Sequence, residues 1–530
     1  MAGKCFQLRH AALVLSYAVF CGPHLNAGKF FPDDPISKEP PPLRVGKVKP
    51  VSVNDQLDVV KHMFRKKAGQ PAEIPAQNVN TLGEVPDGPW YENRFPSGQE
   101  ELTRGSCTAN APRQDAPWTV IQGEMREDLP ELSIRDGRGN RYTLKFDPAS
   151  NPEMATGAEV IGSRFFHALG YHVPESYLVS FDRGQLSLGP ESVMKPESGL
   201  PCRMLPRDLN DLMRRAQVRG GAYRAVAILQ PAGETLGPFR FDGTRLDDPN
   251  DITPHEHRRE LRGLYVFSSW LNHDNMRANA TADVLVDEPS SRYVKHFLTN
   301  FSSVLGSGGA RSNEAHAGNE YGFDFRAAAR QLLTFGMSAP PWARAEYPKL
   351  LGAGRFESEY FNPEQWKPLS PNPAFLNRLP DDMFWAARKV MRFDDDQIRT
   401  LVRCGEFSNP ETARWIADTL IARRDKIGRT YFSKVLPLDQ FRIENRRLAF
   451  DDLAVRYRFA QPRSYSVQWW AFDNESGRKT EMLGATGPEL PDAEGYLLAR
   501  IQTPGEEKSA LVYVNCTRNQ ELIVGIEHEW

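Results

Sequence analysis

The alternation of apolar and polar positions divides the chain into stretches of different period. From Trp118 to Asp147 the runs W-T-V-I-Q-G, E-L-S-I-R-D and R-Y-T-L-K-F-D alternate with period two. They predict a twisted hairpin plus a third strand, with Arg138-Gly139-Asn140 as the second turn. The period then lengthens. Ala158, Ile161, Phe165 and Leu169 recur at helical spacing and predict a helix from Gly157 to Gly170 with one buried face. Pro174 to Val179 continues the same unit, a helix is predicted at Pro206 to Gln217 and a strand at Tyr223 to Leu229. Val284 to Val286 and Tyr293 to Leu298 read as a hairpin around the turn Asp287 to Ser291, where Pro289 needs no ladder N–H. Helical spacing returns before Leu271 and at Phe325 to Phe335, Asp382 to Met391, Asp396 to Cys404 and Pro410 to Lys426. The charge run Arg423 to Lys426 reads as a solvated helix end. From about Arg446 five strand patterns follow: Leu453 to Phe459, Tyr465 to Asp473, Gly495 to Ile501, Ala510 to Asn515 and Leu522 to Ile526. Their Gly/Pro/Asp/Asn turns suggest a small β-sandwich.

The first residues break these patterns. Lys4 and Arg9, an apolar run from Ala11 to Gly22, and Leu25-Asn26-Ala27 resemble a secretory signal cleaved before Gly28. The apolar run is too short to span a bilayer, and no other stretch is apolar enough. Residues 28 to 115 read as an extended Pro- and Lys-rich arm with one helix at Val53 to Lys66. Within it, Glu84 to Phe95 reads as a turn-rich loop docked by its aromatics. Export leaves Cys107, Cys202, Cys404 and Cys516, whose spacing neither pairs them nor marks a metal site.

Composition narrows the function classes. The 530 residues are 40% hydrophobic and 25% charged, with a net charge of -2. These values suit a sizeable core, and the chain has no basic stripe for nucleic acid. No G-x-S-x-G or H-E-x-x-H motif supports a hydrolase. His255 and His257 form H-x-H at a loop-to-helix junction, with His273 nearby. That spacing does not put two ligands on one helical face, so capping and hydrogen bonding are expected of them.

The remaining chemistry lies between Trp270 and Ser307, which reads as a helix end, a loop, the hairpin, then a second loop ending in Asn300-Phe301-Ser302. Together with Asn78 to Asp87, Pro249-Asn250-Asp251, His255 to Leu261 and Asn372 to Phe375, the stretch resembles a group of exported bacterial proteins. Those proteins have a protein-kinase-like fold of the HipA-like or lipid-kinase-like type.

The resemblance implies an α+β, two-lobed fold. The small lobe would span residues 116–230, the helical large lobe 231–440, and an all-β domain 441–530. It further implies that Lys145, on the third strand, takes nucleotide phosphates and pairs with Glu159 at the start of the following helix. The first loop would carry an Asp that orients the attacking hydroxyl and, five positions on, an Asn that holds metal; the second would carry an Asp-Phe-Gly. Anchored on Trp270, Thr281 and Asp283, the two first-loop positions fall on Asn275 and Ala280, and the second-loop Asp falls on Asn300. A register shifted by one gives Asp274 as catalytic base, with Asn279 and Asn300 toward metal. The phosphate-covering loop, Glu124 to Glu131, has no glycine and carries four carboxylates against Arg126. Such a loop is ill suited to cradle a triphosphate.

The expectation is therefore an exported, kinase-like protein that has lost catalysis and acts by binding a protein or cell-envelope partner. The alternative is an active phosphotransferase using ATP with Mg²⁺ or Mn²⁺ in the shifted register.

Overall fold

The computed structural model describes residues 28–53, 61–62, 73–96, 98–126, 129–196, 200–322, 340–518 and 520–530. The helix expected at Phe325 to Phe335, the signal-like segment and most of Val53 to Lys66 lie outside these residues. So do Glu127 and Asp128.

The alternating stretch at Trp118 builds the first strands: β1 (Trp118–Arg126), β2 (Leu129–Arg135) and β3 (Arg141–Phe146). Inward positions Trp118, Val120, Leu132, Ile134, Leu144 and Phe146 are all fully buried, so the period-two reading holds residue by residue. Much of the expected phosphate loop is strand, because Glu124 pairs with Glu131 across the hairpin. Strands β4 (Ser176–Phe181), β5 (Leu186–Lys195), β6 (Cys202–Arg203), β7 (Val218–Arg219) and β8 (Ala222–Leu229) complete an eight-stranded mixed sheet of order β4-β8-β3-β2-β1-β5-β6, with β7 on β8. Among the described residues, β1–β5 is the one parallel pair of this sheet.

The helix after β3 runs from Met154 to Ala168 and is buried around nearly its whole circumference. One apolar face was expected. The second face is covered because the helix lies between the sheet and the helical half of the chain. Gly162 permits that approach: a methyl there would lie 2.7 Å from Phe301 Cβ.

The helical half contains Arg259–Leu271, Pro380–Met391, Asp395–Arg403 and Pro410–Phe432. The last runs six residues beyond the expected end, so Arg423 sits mid-helix. It is buried and donates to the Glu357 and Ser269 carbonyls. The solvated-end reading is corrected: its neighbours along the chain are charged, but its helical face is inward. Strands β9 (Glu234–Gly237), β10 (Thr281–Asp287) and β11 (Arg292–Leu298) form a three-stranded sheet. Asp283 on β10 is held between His296 (2.7 Å) and Arg245 (2.9 Å), all three buried. The arm lies across this sheet, where Val45 and Val48 pack with Leu236, Leu285 and Val294. The docked loop also holds, with Trp90 and Tyr91 buried.

The C-terminal region is separate and all-antiparallel. A hairpin, β12 (Leu438–Glu444) with β13 (Arg447–Asp452), precedes a five-stranded sheet. That sheet has the order β15-β14-β16-β17-β18, from Ser466–Phe472 (β14), Lys479–Thr486 (β15), Gly495–Gln502 (β16), Ser509–Cys516 (β17) and Glu521–Glu529 (β18). The expected strand at Leu453 to Phe459 is instead a helical turn, Leu453–Arg456. Asp452 accepts from the Ala454 and Val455 N–H groups and starts that turn. Among the described residues no helix is long and apolar enough to cross a membrane. Cys107, Cys202, Cys404 and Cys516 are free thiols.

Candidate functional site

Strand β3 alternates, so Lys145 points away from the core positions Leu144 and Phe146, toward the Met154–Ala168 helix. Glu159, in the second turn of that helix, is 1% exposed. Lys145 Nζ donates to Glu159 Oε2 at 3.0 Å and to Asn300 Oδ1 at 2.8 Å. The expected lysine–glutamate pair is present, and the second-loop asparagine completes it.

Glu159 also fixes the loop. Its Oε1 accepts from the Phe301 N–H at 3.1 Å, and Oε2 from the Ser302 N–H at 2.9 Å. A buried carboxylate is tolerated because a cation and two backbone donors replace its water. Asn300 adopts the left-handed conformation (φ 62°), which asparagine enters more readily than most residues. The bend aims its amide oxygen at Lys145. Ser302 Oγ donates to the same oxygen at 3.2 Å.

These groups open on a cavity of about 200 Å³. Its lining includes Lys145, Asn279, Asn300 and Ser302, with Arg126 and Glu131 contributed by the first hairpin. Asn279 is exposed, whereas Ala280 is fully buried in the core of the helical half. The loop therefore turns residue 279, not 280, toward Lys145, opposite to the anchored sequence register. The anchoring residues Thr281 and Asp283 are buried in β10, and their match does not extend backward through the short helical turn Ala278–Ala280.

Asp274 lies outside the cavity lining. It is 6% exposed, and its Oδ1 accepts from Asn313 Nδ2 at 3.4 Å. Burial pushes its carboxyl up to about 7, against the smaller opposing effect of Asn313. Asn275 turns back on its own loop, accepting from Arg277 Nε at 2.7 Å. Burial, with the Lys145 charge adding to it, pushes the neighbouring His273 imidazole down to about 3. That ring is neutral at ordinary pH and stands 3.3 Å from Ser303 Oγ.

The three histidines singled out from the sequence are engaged separately. His255 bonds Asp251 at 2.8 Å and the Arg240 carbonyl, and His257 accepts from Arg262 at 2.7 Å. Among the described residues no cluster of three His, Cys, Asp or Glu side chains is arranged to hold a metal ion. At the cavity the available donors are the neutral Asn279, Asn300 and Ser302. The one carboxylate in the described lining, Glu131, faces Arg126 at 3.7 Å. Hard divalent cations take anionic oxygens, so this donor set does not fit a resident Mg²⁺ or Mn²⁺. Lys145 lines the cavity, and its ammonium has a third N–H beyond those given to Glu159 and Asn300 with which to meet an anionic oxygen of a ligand.

The sequence reading missed the Lys145–Asn300 contact, because it joins residues 155 apart. The left-handed bend at Asn300 was a weak available signal. The chain matches no known protein-family model and no curated protein.

Proposed function

We propose that the protein is a kinase-like binding module in which metal-dependent phosphoryl transfer has been lost. In this reading the eight-stranded sheet and the Met154–Ala168 helix correspond to a small lobe. The helices between Arg259 and Phe432 correspond to a large lobe. The protein is exported, and its partner is a protein or a component of the cell envelope.

The observation that carries the reading is Asn300 Oδ1, 2.8 Å from Lys145 Nζ. A neutral amide stands where a metal-binding carboxylate would be needed. Phosphoryl transfer is mostly positioning and electrostatics, so without that charge little chemistry remains. The stretch from Glu124 to Glu131, which has no glycine, supports the same conclusion. Lys145 would hold the phosphates of a bound nucleotide, weakly and without metal.

A second reading, an active ATP-dependent phosphotransferase, is favoured by one specific observation. Asn279 faces the cavity, which keeps Asp274 and Asn279 five positions apart. Thermal shifts with ADP or ATP, with and without Mn²⁺, decide between the two. The natural protein is expected to show a small shift that Mn²⁺ does not change, and Asn300→Asp a shift that Mn²⁺ increases. Mn²⁺- or Mg²⁺-dependent ATP turnover by the natural protein, abolished by Lys145→Ala or Asp274→Ala, would establish the second reading.

A further inference from the structure

The helical half holds a space apart from the Lys145 cavity. A separate cavity of about 600 Å³ lies between Tyr265 of the Arg259–Leu271 helix and the chain from Pro340 to Arg378. Trp342, Tyr347 and Tyr360 line it, together with Asn319, Asn362 and Gln365. All three rings are only half-buried. Among the described residues, none of them is stacked on another ring or on a cation, although the structure pairs most of its other large aromatics.

The wall behind them is rigid. Trp366 Nε1 donates to Asn272 Oδ1 at 2.9 Å, and the Tyr265 hydroxyl lies 2.9 Å from the carbonyls of both Pro363 and Trp366, with one proton to give to either. The cations in the wall are already engaged. Arg378 lies over the Tyr265 ring at 3.9 Å and Arg423 over the Phe361 ring at 3.6 Å. The Glu357 carboxylate accepts from the Tyr360 N–H at 2.8 Å.

We infer that this cavity binds a saccharide. Its volume lies within the range of small-molecule sites, which hold ligands of a few rings. A lipid or other fully apolar ligand would put hydrocarbon against the side-chain amides of Asn319, Asn362 and Gln365. Of the cations in the lining, Arg378 and Arg423 are stacked on rings of the wall, Lys367 lies 5.3 Å from the centre of the Tyr321 ring and Arg355 faces Glu314 at 3.6 Å, so a phosphorylated ligand would have to draw them from these partners. A pyranose ring has an apolar C–H face and a rim of hydroxyls. Flat, unstacked aromatic faces meet the first, and side-chain amides and carboxylates meet the second. The inference does not rest on the reading of the Lys145 site.

The test is titration of the full chain with cellotriose, chitotriose and trigalacturonate, followed by tryptophan fluorescence and calorimetry. Saturable binding of at least one trisaccharide is expected. Trp342→Ala should weaken it about tenfold, the loss typical of a central aromatic anchor, while Arg126→Ala, on the exposed rim of the other cavity, leaves it unchanged. Tyr347→Leu serves in place of Trp342→Ala if the latter does not fold. Absence of binding by all three up to about 10 mM, weaker than most specific recognition, would overturn the inference. So would binding that is unaffected by the aromatic substitution. An effect of Arg126→Ala equal to that of Trp342→Ala would place the saccharide in the other cavity and overturn the assignment.

Discussion

Single side chains set the electrostatics of the Lys145 site. Lys145 and Glu159 neutralise one another, and Asn300 adds an acceptor without charge. Asp274 is the exception, a carboxyl with no cation in hydrogen-bonding contact and a pKa raised to about 7 by burial. The sign of its effect on stability follows from proton binding. Between about pH 4 and pH 7 the native state holds a proton that the unfolded chain has released. Stability contributed by Asp274 is therefore fully present below the unfolded value and is lost as pH rises through about 7. Asp274→Asn keeps an oxygen acceptor for Asn313 and removes the titration. The variant is expected to match the natural protein at pH 4 and to exceed it by about 2 to 4 kcal/mol at pH 8. Denaturant melts of both proteins across that range check the expectation. A difference that does not change with pH would place the proton elsewhere.

At the scale of elements, the site depends on how closely one helix approaches one turn. The Met154–Ala168 helix meets the turn Phe301–Ser303 at Gly162, where an added Cβ would lie 2.7 Å from Phe301 Cβ and 3.1 Å from Val304 Cγ2. Alanine is the better helix former by about 1 kcal/mol, so on an isolated helix Gly162→Ala would stabilise. Here the overlap outweighs that gain, because the opposing atoms are the root of a side chain and not a flexible end. A net loss of about 1 to 3 kcal/mol is expected, together with displacement of the Phe301 and Ser302 N–H groups from Glu159. Calorimetry reads the first effect. Any nucleotide-induced thermal shift, weakened in the variant, reads the second. The strands and the helix around this contact were legible from periodicity. The contact was not, because nothing local to Gly162 points to Phe301.

Over the whole molecule, the first described residues tie the chain's two ends together. Phe30 is 4% exposed and packs among Phe472, Tyr496 and Tyr513 on one face of the C-terminal sheet. Lys29 Nζ donates to the Tyr513 hydroxyl at 2.8 Å, and Asn474 bonds the Phe30 backbone on both sides, at 2.8 Å each. The opposite face of the sheet is covered by the β12–β13 hairpin through Leu438 and Leu448. Phe30 thus fills the second face of the sheet from the far end of the chain. Phe30→Ala is expected to cost about 3 to 5 kcal/mol, concentrated in the C-terminal region. Hydrogen exchange should show β14, β16 and β17 losing protection before the eight-stranded sheet does. Cleavage before Gly28, as the sequence suggests, would leave this anchor intact, and N-terminal sequencing of exported protein tests it.

The sequence by itself determined the elements whose side chains repeat at a single period. These are β1 to β3, the helix carrying Glu159, the β10–β11 hairpin and four of the five C-terminal sheet strands. The Lys145–Glu159 pair was expected from the family resemblance and the strand-then-helix order of the two residues, and the structure contains it. Tertiary structure alone decided which loop residue faces Lys145. Asn279 and Ala280 are adjacent, and only the packing of Ala280 into the helical core orients the other toward the cavity. It also decided that Arg423 is buried, that Leu453 begins a helical turn and that Asn300 reaches Lys145. Each of these depends on which surfaces meet across long separations in the chain, and local periodicity carries no record of those meetings.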